Sequence, residues 1–224
     1  MENEYLLESA RQLRHELGET NVQFVHVALL PFLIASKELK TKPIQHSIRT
    51  LMSYGISPDF LIVRADAPLP QEVLSKIGLA TGIEQSQIIS ATTLDSIYRV
   101  PLAFHAEQVG EKILKKLHLT TQGIDMSQWT KLLANIDTTD GDISIGLVGK
   151  YVELEDAYFS LNEALKCAGY AHRKHVKLHF IEAENIETQG VSVLEKLDGI
   201  CIPGGFGTRG TQGMITATKY AREN

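Results

Sequence analysis

Apolar positions change their spacing repeatedly along this chain, and each change marks an element. Over 3–18, Leu6, Ala10, Leu13 and Leu17 recur at intervals of three or four with charge between them, which predicts an amphipathic helix. The run "NVQFVHVALLPF" is apolar on both parities, as in a strand buried on both faces, and the polar "ASKELKT" after it reads as a loop. Pro43 suits a first helical turn, where its missing N–H would be unpaired anyway; Ile44, Ile48, Leu51 and Met52 form the buried side and Gly55 the end. The alternation continues with a strand over 59–63, a helix over 70–81, a strand over 87–90 and a helix over 105–117. From 119 to 142 it breaks: "TTQG" and "DTTDGD" bracket one amphipathic stretch around Trp129, Leu132 and Leu133, read as a linker. A second series follows, with strand "ISIGLVG", a helix over 154–169, strands "VKLHFI" and "DGICIP", a glycine-rich loop, and a last helix from Thr211. Strands alternating with helices predict α/β architecture with parallel sheets, here in two pieces.

Composition narrows the classes. With 224 residues, 43% hydrophobic and 22% charged, the chain can bury one large core or two small ones. A net charge of -5 argues against a broad nucleic-acid surface, although Lys37, Lys40 and Lys42 form a local basic cluster. The two cysteines, Cys167 and Cys201, are too few for a disulfide framework, and no CxxC spacing points to a metal. Met1-Glu2-Asn3-Glu4 lacks the basic start of a signal peptide, and no segment approaches the roughly 20 apolar residues of a membrane span. The expected location is the cytoplasm, with no membrane and no nucleic acid among the partners.

Two stretches carry candidate chemistry. Gly205, Gly207 and Gly210 spell G-x-G-x-x-G between a strand and a helix, the context of a dinucleotide fingerprint. That motif calls for an acidic residue about 20 residues on and belongs to a first strand–helix turn, whereas this loop follows the third strand of its series. The same glycines permit close approach of a ligand, and free N–H groups before a helix suit an anion or a developing oxyanion. A tight turn with no ligand also explains them. "SKELKTKPIQHS" places Lys40, Lys42, Thr41 and Gln45 where a strand hands over to a helix, which suits a polyphosphate as well as a solvated lysine loop. "GLVGKY" lacks the G-x-x-x-x-G-K-[ST] spacing of a phosphate loop, which occurs nowhere in the chain. Cys201 lies within an apolar strand and reads as core, and His175 and His179 lie about 13 Å apart on a strand, too far to share a metal.

"KTKPIQHS" (40–47), "LDSIYRVP" (94–101), "GLVGKYVELEDAY" (146–158) and "PGGFGTRGTQGMI" (203–215), in this order, resemble CTP synthase. The resemblance implies two incomplete three-layer parallel-sheet modules. These are the later part of a P-loop-type amidoligase domain (1–118) and the earlier part of a flavodoxin-like class I glutamine amidotransferase domain (143–224), joined by the 119–142 linker. It implies a ligase that makes CTP from UTP: ATP with Mg²⁺ phosphorylates the 4-oxygen of UTP, and ammonia released from L-glutamine by a Cys-His-Glu triad displaces the phosphate. Position by position, Lys40, Thr41, Lys42, Pro43, Ile44, Gln45 and Lys76 match the UTP or CTP site, with Ile44 where the family usually has threonine. Glu2 matches an acidic residue near the pyrimidine. Thr92, Thr93 and Leu94 match an ATP-contacting stretch that is commonly Lys-Asp-Val. Gly205, with Gly204, matches the glutamine and oxyanion loop. The family's phosphate loop, Mg²⁺ ligands and triad match nothing in the chain, so the resemblance places no catalytic or metal residue in it. Such a segment is expected to be inactive alone, and a homotetramer is expected by family. A non-catalytic pyrimidine-nucleotide-binding or assembly remnant is the alternative, and a dinucleotide-binding oxidoreductase a lesser one.

Overall fold

A computed structural model describes residues 3–34, 37–120 and 122–224, apart from the Glu155 side chain. The chain divides into two compact units, Met1–Met126 and Ser127–Asn224. No helix among the described residues is long and apolar enough to cross a membrane.

The first unit opens with α1 (Glu4–Leu17), closed by Gly18 at φ 85. Its apolar stripe is not core: α1 buries no residue, and Leu6, Leu13 and Leu17 stand exposed. After β1 (Val25–Leu29) come β2 (Phe32–Leu33) and β3 (Glu38–Leu39), a small antiparallel pair inside the stretch expected to be a loop. Lys40 N donates to Pro31 O at 3.0 Å and closes that pair, and two-residue strands are too short to display an alternation. Helix α2 (Lys42–Ser53) has Pro43 in its first turn; Ile44 and Ile48 are buried, whereas Met52 faces outward.

Then follow β4 (Phe60–Ala65), α3 (Gln71–Thr81), β5 (Ile88–Thr92), α4 (Val100–Ala106) and α5 (Val109–Lys116). The single helix expected over 105–117 is two. Pro101 sits in the first turn of α4, and Gln108 at φ 55 leaves the right-handed region before α5 starts. The sheet order is β1-β4-β5, all parallel. Central β4 shows why its sequence is apolar on both parities. Leu61, Val63 and Ala65 join Ile44, Ile48 and Ile77 beneath α2 and α3, while Phe60 and Ile62 join Phe104, Val109 and Ile113 beneath α4 and α5.

The second unit begins with α6 (Ser127–Asp137), formed by the amphipathic stretch around Trp129. It continues through β6 (Asp142–Gly149), α7 (Phe159–Ala171), β7 (His175–Glu182), α8 (Ala183–Gln189), β8 (Gly199–Cys201) and α9 (Thr211–Glu223). A 3-10 turn, Glu155–Tyr158, occupies the start of the helix expected from 154. The parallel sheet runs β7-β6-β8, with the first strand in the middle, as in doubly wound folds. Val148 and Ile181 pack with Ala217 on the side of α8 and α9. Val176, of opposite parity to Ile181, meets the glycine face of α7 at Gly169. Helix α8 was not foreseen, because its seven residues bury only Ala183 and Ile186.

Candidate functional site

In the first unit the segment 40–45 stands where the β2–β3 pair enters α2. Thr41 is buried at the N-cap position; its carbonyl accepts the Gln45 N–H at 3.1 Å and its Oγ1 accepts Gln45 Nε2 at 3.3 Å. Among the described residues no side chain caps the first turn of α2, so its leading N–H groups are open to an anion. Gln45 also lines an open depression of about 640 Å³ together with Gln71, Ser75, Lys76 and Leu79 of α3. Two matched positions far apart in sequence, Gln45 and Lys76, thus meet on one surface. Lys42 and Pro43 are exposed beside it. Lys40 is held in an ion pair with Glu38. The Ile44 side chain, 0% exposed, lies in the core, which leaves only its backbone to face a ligand. Glu2 lies outside the described residues.

Across the sheet, Thr92 and Leu94 line a mainly apolar cavity of about 210 Å³ with Val27, Ile62, Ser90 and Phe104. Ser90 Oγ is buried there with no hydrogen-bond partner among the described residues. Thr93 is turned elsewhere: its N–H donates to Ala65 O at 2.9 Å and its hydroxyl to Asp66 Oδ1 at 3.1 Å, so it ties the end of β5 to that of β4.

In the second unit one cluster of polar groups stands at the C-terminal ends of the strands, the edge where open α/β sheets receive ligands. Strand β6 ends at Gly149, and the next residue, Lys150, is only 4% exposed. Its Nζ donates to the carbonyls of Phe206 (3.2 Å) and Gly207 (2.6 Å) in the glycine loop. Arg209, from the same loop, donates to Lys150 O and to Glu184 Oε2 at 3.0 Å, and lies 3.5 Å from Glu182 Oε1. Burial, reinforced by Glu184 and Glu153 and opposed by Arg209, raises the Glu182 carboxyl above its ordinary range. Tyr158 Oη accepts the amides of Lys150 (3.1 Å) and Tyr151 (3.3 Å), and the approach is close enough that a Cβ on Gly149 would lie 2.6 Å from that oxygen.

Gly204 and Gly205 are exposed on this loop, and Gly207 takes φ 78. Phe206, 95% exposed, projects from it. Cys201 is a half-buried member of β8 in register with Leu147. Among the described residues no three of His, Cys, Asp or Glu come together as a metal site would need. Sequence reasoning gave no role to Lys150, Tyr158 or Arg209. The signal was a charged residue directly after an apolar strand, in "GLVGKY", which failed only as a phosphate loop.

Residues 1–119 match the family model described as CTP synthase N-terminus, and residues 153–224 match that of glutamine amidotransferase class I. A CTP synthase from Acidobacterium capsulatum is 48% identical over 219 residues, which cover 97% of this chain and 40% of that protein. The chain therefore spans well under half the length of this relative.

Proposed function

Since the chain belongs to the CTP synthase family, we propose that it carries the pyrimidine-nucleotide site of an amidoligase and the loop side of a glutaminase site. In the family's reaction ATP phosphorylates the 4-oxygen of UTP, and ammonia from glutamine displaces that phosphate to give CTP. The observation that carries the first half is the shared surface of Gln45 and Lys76, beside the uncapped start of α2 and the exposed Lys42. Ammonium groups and free amides at a helix N-terminus suit a triphosphate. The 4-position chemistry needs a further ATP site, for which the cavity lined by Thr92 and Leu94 is the candidate. The described residues do not group into a Mg²⁺ site, and none is assigned to this chain.

For the second half, Gly204 and Gly205 lie on the loop that Lys150 and Arg209 tie to the end of β6. Backbone N–H groups of such a loop serve the amide oxygen of glutamine and the oxyanion formed when it is attacked. A polypeptide of these 224 residues is proposed to perform neither half-reaction. Its sequence has no G-x-x-x-x-G-K-[ST], and Cys201 lies within a strand. The dinucleotide reading of the glycine loop loses its ground with the family assignment. Cytoplasmic location and assembly into homotetramers are proposed by family.

Calorimetric titration with CTP tests the nucleotide site: binding without UTP-dependent ATP hydrolysis or glutamine hydrolysis is expected. Turnover of either substrate by the 224-residue chain would refute the proposed inactivity, and no CTP binding would refute the site.

A further inference from the structure

The Lys150 ammonium is buried, yet both of its hydrogen-bond acceptors are neutral carbonyls, and no carboxylate pairs with it among the described residues. Burying a charge this way is costly unless the geometry serves something else. The two acceptors are consecutive peptides of the glycine loop. In a trans peptide the C=O and the N–H of the next residue point in opposite directions. Drawing the Phe206 and Gly207 carbonyls inward therefore turns the N–H groups of Gly207 and Thr208 outward. Among the described residues neither N–H has an acceptor. The stem of Lys150 also bounds the loop at Gly205, where an added Cβ would lie 3.3 Å from Lys150 Cδ. Arg209 closes the clasp from the other side by donating to Lys150 O.

We infer that Lys150 is a positioning residue of the glutamine site: its ammonium fixes the peptide orientation of residues 205–208, so that the loop offers outward N–H groups to an incoming carboxamide or oxyanion. The inference rests on the proposed role of the loop in receiving glutamine. The brace itself is independent of that role.

The test is made by NMR on the 224-residue chain and has two arms. For the brace, the Lys150 ammonium of the unaltered chain is expected as a slowly exchanging signal with through-hydrogen-bond couplings to the Phe206 and Gly207 carbonyl carbons. In Lys150→Met those two carbons should shift upfield and the amides of 205–208 should gain fast motion, with β6 and β7 unchanged; Lys150→Arg should return both towards normal. Absent couplings in the unaltered chain, or unaltered loop signals in Lys150→Met, would overturn the brace. For the ligand, L-glutamine should perturb the Gly205, Gly207 and Thr208 amides, with affinity about tenfold weaker in Lys150→Met, because an unbraced loop must be ordered on binding. Glutamine that moves no loop amide, in a chain where the couplings are present, would overturn the glutamine reading and leave the brace standing. Equal glutamine affinity in the unaltered chain and Lys150→Met would overturn the positioning role.

Discussion

Arg14 grips Asp59 with both terminal guanidinium nitrogens, at 2.6 and 3.3 Å, and so fastens α1 to the residue just before β4. Lys116, at the end of α5, reaches the same carboxylate at 2.9 Å, and the Phe24 amide donates to it at 2.8 Å. Asp59 is 6% exposed. Three separate segments of the first unit thus converge on one buried anion. Removing it leaves Lys116 and Arg14 facing each other with only the exposed Glu19, 3.7 Å from Arg14, as a nearby counter-charge, so Asp59→Asn should destabilise the unit by about 3 kcal/mol in urea denaturation at pH 7.

The same residue predicts a pH dependence. Burial works against ionisation of Asp59, but the Phe24 amide, Lys116 and Arg14 together outweigh it and hold the carboxyl below its ordinary range. A depressed folded pKa stabilises fully above the unfolded value of about 3.9 and is lost as pH falls through the lower folded value. The stability gap between the unaltered chain and Asp59→Asn should therefore shrink on going from pH 7 towards pH 2. A gap that stays constant over that interval would exclude the ion-pair account.

A methyl group on Gly213 would collide with the Ala183 carbonyl, where α9 passes over the start of α8. Alanine is the better helix former by about 1 kcal/mol. Overpacking should nevertheless win, and Gly213→Ala should lower thermal stability by about 2 kcal/mol, followed by circular dichroism. A raised midpoint would show that propensity decides at this position.

Tyr158→Phe removes the oxygen shared by the Lys150 and Tyr151 amides. Exchange at those two amides should accelerate while the interior of β6 keeps its protection, with a stability loss of about 1–2 kcal/mol. Hydrogen exchange resolved by residue reads this directly, and unaltered exchange at both amides would contradict it.

At the proposed nucleotide site, Glu38, ion-paired with Lys40, would compete with a bound phosphate for it. Glu38→Gln should tighten CTP binding several-fold, whereas Lys42→Ala with Lys76→Ala should weaken it by about tenfold or more. Calorimetry at two salt concentrations would separate this from a change in fold. Weaker binding in Glu38→Gln would mean that the Glu38–Lys40 pair helps to shape the site.

Long elements covered on both faces were the most readable part of the sequence. β4 shows this, since its alternating parities fill two cores; α2, buried on one face only, is readable instead from its period and its chemical start at Pro43. Elements that depend on few residues were not legible: α8 hides in "AENIETQ", which has too few apolar positions to show a period, and the break at Gln108 comes from a left-handed residue that is not glycine. The Lys40–Gln45 segment stands out in the sequence as a candidate because charge, proline and a strand end coincide there. Lys150 does not, because a lysine after a strand is ordinarily solvated, and only the tertiary structure turns it beneath a loop 57 residues away.

Helix α1, with no buried residue of its own, meets the rest of its unit through Arg14 on Asp59 and through Glu4, which accepts from Tyr54 at 3.1 Å. With half-buried Leu7 beside Leu51 and Tyr54 as its main apolar share, an attachment made largely of charge and hydrogen bonds carries little of the heat-capacity increment that accompanies apolar burial. Its release should therefore be nearly silent in a calorimetric scan, yet modestly responsive to ionic strength through the partly screened Arg14–Asp59 pair. A fluorophore on α1 would record a salt-dependent step distinct from the cooperative melting of the sheet.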